Sequence, residues 1–243
     1  MNTLWKHQTQ HTGSVNQILG VYHNDVVHYL SLNAQQQPLS YEITKHPAQL
    51  QTNVTWVDLH GNLQLIPQAF AEAPIPGFES CLKRKLNAHI TLAFQPSMNP
   101  QPLPTDSAQH HLAEGLFPLA NTYANHKECV SVLWFHEQTA IVFAFRNGEL
   151  IFANRYPSSN TQEHLYYALL PFHENKLNPH QFGLFVLCDA TQHAATAQLF
   201  QKFIPHAEVT APQLPWIANT PAPLQHIVSP LIKLASCVSP ADI

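Results

Sequence analysis

The chain has 243 residues, 45% of them apolar, and a formal net charge of −4. That length suits two lobes of roughly 110–130 residues better than one core, and the apolar share excludes a disordered chain. Only 11% of residues are charged and Lys plus Arg total 11, which excludes a basic face for nucleic acid.

The opening residues, Met1-Asn2-Thr3-Leu4-Trp5-Lys6, hold no apolar run of signal-peptide length. No stretch approaches the roughly 18 apolar residues of a membrane span, so no membrane insertion is expected. Cys81, Cys129, Cys188 and Cys237 are isolated in the sequence and read as reduced thiols of a cytoplasmic protein.

In chain order, residues 15–22, 26–32 and 39–43 read as a three-stranded meander. It turns at His23-Asn24-Asp25 and over residues 34–37. Residues 54–59 and 63–66 are further strands flanking a His60-Gly61-Asn62 turn. Residues 78–86 are predicted to form a helix and 89–94 a strand. Pro96, Pro100, Pro102 and Pro104 mark a loop or linker, and the lobe boundary falls between them and Cys129. The division expected is residues 1–126 and 127–243.

The second half is plainer. Residues 130–135, 140–145 and 150–155 form a meander, with Asn147-Gly148 supplying the two positive-φ positions of a tight hairpin. Asn160-Thr161-Gln162-Glu163 is a helix-start signal of capping-box type ahead of Leu165, Leu169 and Leu170. Pro171 is expected to end or kink that helix. The continuous apolar run 182–188 reads as a strand buried on both faces. A helix over 193–203, a short strand at 208–210 and a last helix over 226–237 complete the chain. The pattern is α/β with mixed sheets: two βββαβα halves, the signature of a duplicated ribonuclease-H-like fold.

Three runs carry a family resemblance: residues 147–154 (Asn-Gly, an apolar strand, Asn), the Tyr166-Tyr167 pair after Gln162-Glu163, and Leu177-Asn178-Pro179. Together they resemble an uncharacterised bacterial domain-of-unknown-function family with the fold of the actin-like ATPases. Leu65-Ile66-Pro67 and Phe70 match more loosely, and the last helix resembles the family's close. Pro171 and Cys188-Asp189, the latter standing where Gly is commoner, depart from the pattern. The resemblance implies the fold and supplies no catalytic residues.

Proteins of that fold hold Mg-ATP between lobes, with glycine-containing hairpin turns approaching the phosphates. Here the turns carry Asn24 and Asp25 in one half and Gln138 and Thr139 in the other, without glycine. The turn after the buried strand is Cys188-Asp189-Ala190-Thr191, and the whole chain has seven glycines. Asn24, Asp25, Gln138, Thr139 and Asp189 are the residues that would face such a cleft.

A two-metal nuclease site would need an acid on the first strand, and residues 130–135 have none; Glu163 is more simply a helix-start carboxylate. The His-rich, Lys-poor composition reads as a surface property. His110-His111, His7 with His11, and His173 with His180 lack metal-ligand spacing, so no metal is expected. There is no G-x-S-x-G elbow, P-loop or dinucleotide fingerprint, and Cys188 reads as a buried structural thiol.

The expectation is a module without catalytic residues or cofactor, binding another protein. Trp216 in the proline-rich stretch 212–223 reads first as a cap on the lobe core, with a partner contact as the alternative. The alternative is an atypical nucleotide-binding enzyme whose cleft uses side-chain donors such as Asn24, Gln138 and Thr139.

Overall fold

The computed structural model describes residues 3–23, 26–45, 53–97, 109–124, 128–178, 182–210 and 225–237. The first half runs β1 (Thr3–Gln8), β2 (Gln17–His23), β3 (Val26–Leu32), β4 (Pro38–Lys45) and β5 (Thr55–Asp58). Next come β6 (Asn62–Pro67), β7 (Leu82–Lys85), β8 (Ile90–Gln95) and β9 (Gln109–His111), which leads into α1 (Leu112–Ala124). The second half runs β10 (Cys129–His136), β11 (Thr139–Arg146), β12 (Glu149–Pro157), α2 (Thr161–Glu174) and β13 (Gly183–Leu187). It ends with α3 (His193–Phe200), β14 (Ala207–Thr210) and α4 (Gln225–Ala235).

The duplication is visible in the strand orders, β1-β4-β3-β2-β5-β9 and β12-β11-β10-β13-β14. Without β1 the two are the same. Three strands pair antiparallel, a fourth pairs parallel with the first of the meander, and a fifth pairs parallel with the fourth. Between its fourth and fifth strands the first half inserts a small antiparallel sheet, β6-β8-β7.

β10, β11 and β13 are buried along nearly their whole length, as their predominantly apolar sequences require, with Ser131 the polar exception inside β10. One face of their sheet packs on α2 and α3 through Leu133, Phe135, Leu165, Phe172 and Phe200. The other face meets α1 and α4, and this core continues into the first sheet, joining Leu30 and Tyr41 to Leu116, Trp134 and Leu231. The two halves therefore share one core.

The crossing of α1 over α4 explains one glycine. A Cβ on Gly115 would lie 2.0 Å from the Pro230 carbonyl oxygen and 2.9 Å from Leu234 Cβ, so only hydrogen fits. The expected hairpin turn has Asn147 at φ 51° and Gly148 at φ 80°.

Several expectations need correction. Residues 78–86 are not a helix; β7 occupies Leu82–Lys85 and pairs with β8. Pairing Leu82 with Phe94 and Arg84 with Leu92 outweighs the helical propensity of Lys and Arg. Pro171 does not end α2, which runs on to Glu174; Pro171 is buried, and Asn175 Nδ2 donates to its carbonyl at 2.8 Å. β1, β9 and α1 were not legible; α1 carries Gly115 and Pro118, and burial against α4 makes it helical. His28, His110, His111, His164 and His226 are buried, so the histidine content is not only a surface property.

Candidate functional site

Asn24, Asp25 and Trp216 lie outside the described residues. Gln138 and Thr139 sit at the turn from β10 to β11, where Glu137 adopts φ 46° without glycine. The end of β12 closes onto this turn, because Ser158 N donates to the Gln138 carbonyl at 3.0 Å. Asp189 is elsewhere, its Oδ1 accepting from Thr191 N at 2.7 Å and Thr191 Oγ1 at 2.9 Å to close the turn after β13.

The Thr139 side chain is buried because the first half reaches it. His60 Nδ1 is 2.7 Å from Thr139 Oγ1. Arg155, on β12, donates from one terminal nitrogen to Thr139 Oγ1 and from the other to Asn62 Oδ1, both at 3.3 Å. These contacts stitch the β5–β6 turn to the second sheet.

Asp58 builds that turn. Its Oδ1 accepts from His60 N at 2.8 Å, Gly61 N at 3.1 Å and Ser97 Oγ at 2.8 Å, while Ser97 N donates to Oδ2. Gly61 is confined, since a Cβ there would lie 2.5 Å from the Gln95 carbonyl oxygen. The Gly61 carbonyl accepts from His111 Nε2 at 3.0 Å, and His111 Nδ1 accepts from Ala113 N at 3.0 Å. The second bond fixes the Nε2–H tautomer. Burial holds the His111 pKa below its ordinary value, so the ring is a neutral brace.

Beside this seam opens a cavity of about 590 Å³, bounded by His60, Glu137, Gln138, Arg155, Ser158 and Glu163. Burial lowers the Arg155 pKa and the field of Asp58 opposes that. Glu163 serves the start of α2: Asn160 Oδ1 accepts from Glu163 N at 3.0 Å, while Ser159 N and Asn160 Nδ2 donate to the Glu163 carboxylate at 2.6 and 3.0 Å. Those donors lower its pKa, chiefly the Ser159 backbone, and keep it ionised.

Behind the turn lies a chain of rings. His136 Nδ1 is 2.9 Å from His226 Nε2, and His28 Nδ1, from the first sheet, is 2.7 Å from Tyr41 Oη. Burial first, and His28 second, push the His226 pKa down to about 3. Among the described residues no three His, Cys, Asp or Glu side chains converge as metal ligands would. All four cysteines are free, and burial, with Asp189 adding to it, pushes the Cys188 thiol up to about 12. No helix among the described residues is long and apolar enough to cross a membrane.

Sequence reasoning placed Gln138 and Thr139 correctly at a turn but missed Asp58, His60 and Arg155, which meet Thr139 from a distance in sequence. The legible signal was Asp58 ahead of a His-Gly-Asn turn.

Residues 108–207 match a family described as protein of unknown function (DUF3822). No curated protein matches the chain in sequence. A Bacteroides thetaiotaomicron protein with actin-like ATPase fold and unknown function is similar in structure, with a TM-score of 0.63 at 13% identity. The match covers 91% of this chain and 96% of that one. A chain of the PilM–PilN type IV pilus biogenesis complex is similar at a TM-score of 0.55 and 10% identity, covering 90% and 99% respectively. The fold is that of the actin-like ATPases.

Proposed function

We propose that this chain is a non-catalytic, cytoplasmic binding module of the actin-like fold, organised as lobes 1–126 and 127–243, whose partner is another protein. The observation that carries the reading is the charge of the cavity beside the β10–β11 turn. Among the described residues, Glu137 and Glu163 bound it together with a single guanidinium, Arg155. A polyphosphate brought there would meet two carboxylates and a turn without glycine, the reverse of a phosphate cradle.

Two further facts support it. Thr139, a donor that an atypical nucleotide site would use, is already engaged by His60 and Arg155. The similar PilM chain stands in a complex with PilN, so this fold is compatible with a role in protein assembly.

Thermal unfolding with and without millimolar Mg-ATP, Mg-ADP and Mg-GTP tests the reading. A ligand at 100 times its dissociation constant raises the midpoint of a protein this size by roughly 5–10 °C. No nucleotide is expected to do so, and a rise of that size with any of them overturns the proposal.

A further inference from the structure

Arg155 is half-buried, and its partners do not match its charge. Its two terminal nitrogens reach neutral oxygens, Asn62 Oδ1 and Thr139 Oγ1, both at 3.3 Å and long for hydrogen bonds. Its Nε is shielded from solvent and has no partner. Asp58 acts on it only through space, with its oxygens committed to His60, Gly61 and Ser97. Among the described residues no carboxylate forms an ion pair with it.

A guanidinium taken partly out of water normally has an anionic partner, because desolvating an unpaired charge is costly. Its planar fork fits one group best, a carboxylate bound through two parallel N–H donors. Arg155 borders the 590 Å³ cavity, a volume within the range of small-molecule sites. The same cavity is bordered by Glu137, whose side chain is 46% exposed, and by the ionised Glu163. Those two carboxylates disfavour a second negative charge on the ligand and favour a cationic group on it.

We propose that this cavity binds a small zwitterion, an α- or ω-amino acid, with its carboxylate on Arg155 and its ammonium toward Glu137 and Glu163. Gln138 and the Ser158 hydroxyl, which is buried without a partner, are the uncharged polar groups bordering the cavity that would meet the remainder of the ligand. The inference goes beyond the protein-binding reading and does not need it.

The test is thermal unfolding of the full chain with glycine, L-alanine, L-glutamine and γ-aminobutyrate at about 20 mM each, chosen to approach 100 times a sub-millimolar dissociation constant. Acetate, methylammonium, inorganic phosphate and Mg-ATP serve as controls, and the Arg155 side-chain Nε–Hε resonance is followed in ¹⁵N-labelled protein. At least one amino acid is expected to raise the midpoint saturably, by roughly 5 °C or more near 100 times its dissociation constant. The same compound should move the Arg155 resonance, while neither half-ligand, acetate or methylammonium, should match it. Arg155→Gln should weaken binding at least tenfold, roughly the loss of one charge-assisted pair. Glu137→Gln, at an exposed turn and so safe for folding, should weaken the amino acid more than it weakens acetate. No response to any amino acid, or a response that survives either substitution unchanged, overturns the proposal. A larger response to phosphate or Mg-ATP overturns it too, and Mg-ATP would also sink the non-catalytic reading, whereas silence from the amino acids leaves that reading standing.

Discussion

The indole Nε1 of Trp134 donates a 2.9 Å hydrogen bond to the backbone carbonyl of His226. That carbonyl lies four residues before Pro230, inside α4. Proline has no N–H to offer it, so a side chain from β10 replaces the missing helical donor. A proline that would weaken an isolated helix is thus accommodated by the sheet beneath it.

The pair should be energetically coupled. Trp134→Phe leaves the buried carbonyl unpaired, at about 1–3 kcal/mol, in addition to the lost packing. In a Pro230→Ala background the restored N–H takes over, and Trp134→Phe should cost about 1 kcal/mol less. Urea unfolding of the four proteins measures the difference; equal costs in both backgrounds would rule the coupling out.

Gly115→Ala should destabilise by roughly 3 kcal/mol or more, because the added methyl meets the Pro230 carbonyl rather than a flexible side chain. The exposed Asn121 in the same helix is the control. Asn121→Ala should be neutral or stabilising by up to about 0.7 kcal/mol. Thermal midpoints would separate the two at once.

His164 stacks on Phe135 at 3.9 Å between ring centroids, and neither of its ring nitrogens has a partner. Burial pushes its pKa down to about 4, with Glu163 opposing, and that of His226 down to about 3. Both lie below the ordinary value of 6.5, so between those limits the unfolded chain binds more protons. Stability should therefore fall as pH drops below about 6.5, by up to roughly 1.4 kcal/mol per pH unit per group. His164→Leu should remove one group's share of that slope and leave stability at pH 7 equal or higher, since no hydrogen bond is lost. Chemical unfolding at pH 5, 6 and 7 reads it directly; an unchanged slope would count against a buried neutral His164.

Asp58→Ala should slacken the β5–β6 turn and the seam together. Four donors from His60, Gly61 and Ser97 lose their acceptor, which should cost about 3 kcal/mol. The resonances of Thr139 and Arg155, across the seam, should shift as well. If only residues 58–61 and 97 respond, the turn does not position His60.

How much of this was readable depended on how local each element's cause is. The β10–β12 meander, the Asn147-Gly148 turn and the Asn160–Glu163 cap are set by neighbours in sequence, and they stand where the pattern placed them. α1 contradicts its own propensities through Gly115 and Pro118, and exists because α4 covers it. β7 looked helical because its charged residues favour helix when β8 is ignored. Thr139 could be named from a turn, but His60 lies 79 residues away, and their meeting follows from the duplicated topology rather than from either residue.

The shared core has a dynamic consequence. α1 belongs by sequence to the first half, yet it lies wedged between α4 and the strands β10 and β11, and Gly115 leaves no slack for sliding. The two halves are thus clasped through one helix pair rather than joined by a free connection. Backbone amides of α1, α4 and β10 should exchange with solvent only when the whole molecule opens.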